Sequence, residues 1–123
     1  MKTSGKERVK ALIVDDEADV CFLLGSILRN RNLQTSYVNS ISEAKQALQK
    51  DIPSIVFLDN HLPDGFGINF IGEIKKFDPS IKIVMITAHD TTSDKANAFK
   101  EGADYFIGKP FTKDNIFNAI ERL

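Results

Sequence analysis

The run Ile55-Val56-Phe57-Leu58 ends directly in Asp59, and the turn-rich stretch Asn60-His61-Leu62-Pro63-Asp64-Gly65 follows at once. Consecutive apolar residues without alternation, β-branched and aromatic, read as a strand buried on both faces. Asp59 then stands at the carboxyl end of a central strand, where open α/β sheets gather their ligand chemistry. Two further apolar stretches deliver polar groups to the same edge. Residues 9–14 end in Asp15-Asp16, and residues 81–86 end in Thr87.

Helical patterns separate these strands. Glu17-Ala18-Asp19 opens the first, with acids where the macrodipole favours them. Val20, Leu23, Leu24, Ile27 and Leu28 form its inward face at helical spacing, which leaves Cys21 and Phe22 outside that face. A second strand falls at residues 34–38. Ser40-Ile41-Ser42-Glu43 has the capping-box pattern and starts a helix that turns Ala44, Ala47 and Leu48 inward. A third helix runs through Ile68, Ile71, Ile74 and Lys75, and a fourth spans residues 92–100 before Gly102. Residues 105–107 make a short fifth strand, and Ile116, Phe117, Ile120 and Leu123 mark the last helix. Strands and helices alternate without an internal repeat, so the class is α/β with a parallel sheet covered on both faces. The pattern predicts one domain over residues 1–123, with its core from about residue 8.

Composition narrows the function. A net charge of −1 argues against a domain that binds nucleic acid by itself. No apolar run approaches the roughly 20 residues that span a bilayer, and the polar start has no signal-peptide core. A single cysteine cannot form an internal disulfide, which favours a reducing compartment. The expectation is a cytoplasmic domain that makes no membrane contact.

Asp15, Asp16 and Asp59 in one crevice repel each other unless a cation is present. Oxygen donors at an open site suit Mg²⁺ (or Mn²⁺). Asp15 and Asp16 can alternatively cap the helix that follows, although capping uses one acid rather than two plus a third. Lys109, just after the fifth strand, can neutralise the acidic edge and bind phosphate as a point charge. Pro110 fixes the backbone beside it and makes the Lys109–Pro110 bond a candidate cis peptide. Thr87 adds a hydroxyl, and Ala88 leaves room next to it. Acids, hydroxyl and amine at four strand ends describe a phosphate site with a metal.

In this order and at these spacings, Asp15-Asp16, Asp59, Thr87-Ala88 and Lys109-Pro110-Phe111 resemble the receiver domain of two-component response regulators, the chemotaxis-regulator type included. The resemblance covers nearly the whole chain. It implies a flavodoxin-like fold of five parallel strands in the order 2-1-3-4-5 with five surrounding helices. It also implies that Asp59 accepts a phosphoryl group from a phosphohistidine on a sensor histidine kinase or a histidine phosphotransfer protein. Asp16 and Asp59 would bind Mg²⁺ directly, Asp15 through water, and the main-chain carbonyl of His61 would complete the protein ligands. Thr87, Ala88 and Lys109 would meet the phosphoryl oxygens. The Thr87 hydroxyl would swing to the phosphoryl group, and Phe106 would fill the space behind it. The position of Phe106 is often tyrosine in the family, so here the switch would depend on packing alone.

Three further expectations belong to this chain. His61 and His89 follow Asp59 and Thr87 by two positions each and would tune the lifetime of the aspartyl phosphate; imidazoles titrate near neutrality when unperturbed. Phe22, off the apolar face of the first helix, would contribute to kinase docking. The signal would be carried by a changed surface around the fourth helix, fifth strand and fifth helix, and phosphorylation-dependent homodimerisation would be a separate outcome. Two rival functions remain. A Mg²⁺-dependent phosphatase with an aspartate nucleophile needs an acid two residues later, where this chain has His61. A receiver-like binding module that is never phosphorylated has no need of the complete polar set. The expected role is therefore a signalling phosphoacceptor rather than an enzyme.

Overall fold

A computed structural model describes residues 9–123. The parallel strands β1 (Lys10–Val14), β2 (Gln34–Val38), β3 (Ile55–Leu58), β4 (Lys82–Thr87) and β5 (Tyr105–Gly108) lie in the order β2-β1-β3-β4-β5. This is the predicted 2-1-3-4-5 sheet. It is covered by α1 (Ala18–Asn30), α2 (Ile41–Lys50), α3 (Ile71–Phe77), α4 (Thr92–Glu101) and α5 (Lys113–Arg122). Among the described residues no helix is long and apolar enough to cross a membrane.

Strand alternation divides the interior in two. Leu12, Val14, Val56, Leu58, Ile83 and Met85 belong to the core that also takes in α2, α3 and α4. Ala11, Ile13, Ile55, Phe57, Val84 and Ile86 belong to the core with α1 and α5. A central strand therefore needs apolar residues in both phases, and every residue of β3 is buried. Register then fixes the functional edge. Val14 pairs with Leu58, Leu58 with Met85, and Thr87 with Gly108. The ladder continues one residue past the strands, because Asp59 N donates to Val14 O at 2.9 Å and Lys109 N to Thr87 O at 2.9 Å.

Helix α1 corrects the sequence reading. It buries Cys21, Leu24, Gly25, Ile27 and Leu28. Cys21, expected outside the apolar face, is 3% exposed, whereas Leu23, expected inside it, is 50% exposed. The packed row Cys21, Gly25, Leu28 includes two small residues, Cys21 and Gly25, and small side chains let a helix come close to its sheet. Cys21 Sγ also donates to the carbonyl of Asp15 at 3.3 Å. A count of hydrophobic side chains does not register that advantage. Phe22 is 76% exposed, in agreement with its spacing.

The segment after β3 also departs from the helical pattern. Residues 61–62 and 65–66 pair as a short antiparallel hairpin. Gly67–Phe70 then forms a 3₁₀ turn, so Ile68 precedes α3. Two bonds anchor this turn to the strand end: Gly67 N donates to Asn60 O at 2.8 Å, and Ile68 N to Asn60 Oδ1 at 2.9 Å. Asp64 ties the hairpin to α2, since its two carboxylate oxygens accept from Ile41 N and Ser42 N at 2.9 Å each. Those donors hold its carboxyl below the usual range. Ser40 caps α2 by accepting from Glu43 N, but the Glu43 carboxylate accepts from Asn39 N, one residue upstream of the expected capping box.

Gly67 faces the backbone of the strand end with no room for a side chain. A β-carbon there would overlap the Asp59 carbonyl oxygen and lie 3.0 Å from Leu58 Cγ. Gly72, within α3, has nothing within 4 Å of that position. Gly67→Ala is expected to cost about 1–3 kcal/mol through forced backbone movement. Gly72→Ala should be neutral or stabilising by up to about 1 kcal/mol. Urea unfolding of the two variants checks both signs, and equal midpoints would refute the close approach.

Candidate functional site

Three polar or charged side chains are buried among the described residues: Asp15, Asp59 and Thr87, at 2%, 5% and 2% exposure. They stand at the carboxyl ends of β1, β3 and β4. Nothing about packing calls for a carboxylate in the interior of a sheet edge, and each such charge is costly without a partner.

The partner arrives from β5. Lys109 Nζ lies 3.0 Å from Asp15 Oδ2, 2.7 Å from Glu17 Oε1 and 3.7 Å from Asp59 Oδ1. Burial works against the ammonium charge, but the bonds to Glu17 and Asp15 outweigh it and raise the Lys109 pKa overall. On Asp59, burial and then the Asp15 charge push the carboxyl up to about 6 against the opposing pull of Lys109. Burial likewise raises Asp15, despite bonds from Glu17 N and Lys109. One ammonium therefore leaves the cluster undercompensated.

Asp15, Glu17 and Asp59 each offer a carboxylate oxygen, all within 4.8 Å of one another, and this group could hold a metal ion. Oxygen-only donors fit a hard divalent cation. Glu17 belongs to this cluster although the sequence reading gave it only a helix-opening role. The signal was its place directly after Asp15-Asp16. Asp16 is exposed and lines the cleft instead. That cleft, of about 310 Å³, is bounded by Asp16, Glu17, Asp59, His61, Thr87, Ala88, His89 and Lys109. The residues expected at the phosphoryl group line it, and so do the expected metal ligands except Asp15, which is buried and paired with Lys109.

Around this floor the loops differ in attachment. Asp59 Oδ1 accepts from Asn60 N at 2.9 Å, and Thr87 Oγ1 accepts from His89 N at 3.3 Å. The His61 and His89 rings face each other with centroids 4.1 Å apart, and Phe66 meets His61 edge-on at 5.4 Å. Phe106 pairs with Met85 and packs, half-buried, against the α2–α4 core. The Lys109–Pro110 bond is cis. Phe22 does not line the cleft. A separate, more apolar groove of about 450 Å³ opens between α1 and the segment after β5, lined by Val20, Leu23, Pro110 and Phe111 beside Lys109.

Residues 11–121 match the response regulator receiver domain. The response regulator protein PilR of Pseudomonas aeruginosa is 36% identical over 103 residues, which are 84% of this chain and 23% of PilR. The crystal structure of NtrX from Brucella abortus superposes with a TM-score of 0.87 at 33% identity, covering 94% of this chain and 26% of that one. A CheY-like receiver protein from Methanospirillum hungatei shares the fold at a TM-score of 0.87 and 22% identity, over 94% of this chain and 92% of that one. The chain thus spans about a quarter of the length of PilR and NtrX. With the acidic cluster at the carboxyl edge of a 2-1-3-4-5 sheet, these matches show that the chain belongs to the receiver domain family of two-component response regulators.

Proposed function

We propose that Asp59 is the phosphoacceptor of this receiver, taking a phosphoryl group from a phosphohistidine on a sensor histidine kinase or histidine phosphotransfer protein. The observation that carries this reading is the buried Asp59 carboxylate, on the floor of an open cleft with Lys109 Nζ 3.7 Å away. An Asp59 oxygen attacks phosphorus, the P–N bond of the donor breaks, and the departing imidazole takes up a proton. Such a transfer depends on positioning and charge neutralisation rather than on covalent machinery. Lys109 and the Thr87 hydroxyl receive phosphoryl oxygens, and Ala88 leaves them space. Asp16 and Asp59, with Asp15 and the His61 carbonyl, would hold Mg²⁺ or Mn²⁺. When bound, the ion supplies positive charge that offsets the incoming phosphoryl oxygens. The role is that of a signalling acceptor in the cytoplasm rather than of an enzyme with a turned-over substrate.

Output follows from Thr87. When its hydroxyl leaves His89 N for the phosphoryl group, Phe106 moves into the vacated space and remodels the surface of α4, β5 and α5. That surface then engages an output domain, a partner, or a second phosphorylated copy. Phe22, exposed on α1, docks the kinase.

Incubation with Mg²⁺ and acetyl phosphate should add one labile phosphoryl group by intact mass, and Asp59→Asn should abolish it. Absence of any adduct, together with failure to bind beryllofluoride, would reject the acceptor role in favour of a non-phosphorylated binding module. Phe22→Ala should slow transfer from the phosphorylated kinase while leaving acetyl phosphate labelling unchanged. Loss of neither activity would remove Phe22 from the docking surface.

Charge crowding predicts an opposite effect on stability. The Asp59 carboxyl ionises near 6 in the folded chain and near 3.8 when unfolded. Between about pH 4 and 6 the folded state keeps a proton that the unfolded state has released, so metal-free stability falls as pH rises through that window. In EDTA at pH 7.5, Asp59→Asn should be more stable than the parent by about 2 kcal/mol. The gain should vanish below about pH 4, and saturating Mg²⁺ should stabilise the parent more than the variant. Thermal melts across pH measure all three, and a less stable Asn variant would contradict the crowding.

The adjoining imidazoles of His61 and His89 line the same cleft as the acceptor and restrict water access to its phosphate. The double variant His61→Ala, His89→Ala should shorten the phosphoryl lifetime by about two- to tenfold. An unchanged lifetime would assign the pair no part in it.

A further inference from the structure

Strand β5 ends in a glycine on which the β4–α4 loop is seated. A β-carbon on Gly108 would overlap Asp90 Oδ2 and lie 3.0 Å from Asp90 Cγ and 3.1 Å from its Cβ. Because the obstruction reaches down to Cβ, rotating the carboxylate away does not clear it, and the loop backbone has to shift. Alternation puts Gly108 on the face of β5 that carries Phe106, and Phe106 packs there against the α2–α4 core. Gly108 is also the register partner of Thr87. Three contacts border the loop, two of them hydrogen bonds. At its start Thr87 Oγ1 accepts from His89 N at 3.3 Å. At its end Thr91 caps α4 by accepting from Asp94 N at 3.1 Å. Between them Asp90 lies over Gly108.

We propose that Gly108 is a positioning residue for the phosphoryl site: the space left by its missing side chain seats Asp90, and the seated Asp90 holds the loop carrying Ala88 and His89 in the arrangement seen here. The functional consequence rests on the reading of Asp59 as phosphoacceptor, whereas the seat itself does not. With Asp90 displaced, one of the three restraints is gone. The arrangement in which the Thr87 hydroxyl turns toward Asp59 then gains population. A ligand that selects that arrangement binds more tightly in proportion to the gain.

The test compares the parent protein with Gly108→Ala, Asp90→Ala and the double variant, using two readouts. Amide hydrogen exchange of residues 88–91 in metal-free protein should be faster in both single variants. The double variant should be no faster than the faster single, because both changes remove the same contact. Beryllofluoride in the presence of Mg²⁺ should bind each single variant about three- to tenfold more tightly than the parent, again without addition in the double. Additive effects, or exchange in either single variant equal to that of the parent, would overturn the seat. Faster, non-additive exchange with unchanged beryllofluoride affinity would overturn the positioning role. A parent protein that binds no beryllofluoride would instead refute the acceptor reading, leaving the exchange data to decide the seat.

Discussion

The contact on which the rest of this structure depends is that of the Lys109 ammonium with Asp15, Glu17 and Asp59. It joins side chains 92 residues apart in sequence, Glu17 and Lys109, across the carboxyl edge of the sheet. Two of the carboxylates are buried and cannot remain charged there alone. The cation that relieves them comes from the last strand, so β1 and β3 cannot complete their own electrostatics. Only when β4 pairs with β5 does Lys109 reach the edge, through the ladder extended by its own N–H to Thr87 O. The site is a product of the whole sheet order, not of any local motif. Its deficit of positive charge is also what makes the cleft receptive to a cation.

Much of this was legible in the sequence, for physical reasons. Central parallel strands have no polar face, so β1, β3 and β4 appear as apolar runs, and the first polar residue after each run marks the functional edge. That rule alone finds Asp15, Asp59 and Thr87, the polar side chains buried among the described residues. Their assembly into one cleft follows from strand order. Periodicity was less reliable on α1, where the helix presents Cys21 and Gly25 to the sheet and leaves Leu23 half in solvent. There the deciding quantity was side-chain size at a close contact, which a hydrophobic pattern does not encode.

The features missed all depend on where loops fold back. Glu17 reads as a helix-opening acid, and only the arrival of Lys109 makes it part of the charge cluster. Asp64 reads as a turn residue, yet both of its oxygens serve the amino end of α2. The 3₁₀ turn before α3 has an apolar spacing indistinguishable from helix. Its geometry is imposed by Gly67 lying against the Asp59 backbone. Each of these contacts joins segments whose separation in sequence carries no pattern.

Those loops are attached unequally, and the inequality matters for how a receiver can work. The loop after Asp59 is fixed by Gly67 N and Ile68 N on Asn60, and by Asp64 on α2, at 2.8–2.9 Å. The loop after Thr87 has a longer bond of 3.3 Å at its start, the Thr91 cap of α4 at its end, and between them a carboxylate resting on a glycine. An acceptor must hold still to meet an in-line donor, because misplacement by about 1 Å is costly in rate. A sensor of the same phosphoryl group must instead have a second arrangement within a few kcal/mol of the first. Fixing the β3 loop tightly and the β4 loop lightly satisfies both demands within one cleft. Strengthening the β4 loop to match the β3 loop would stabilise the fold while narrowing the range of states from which the phosphoryl group can select.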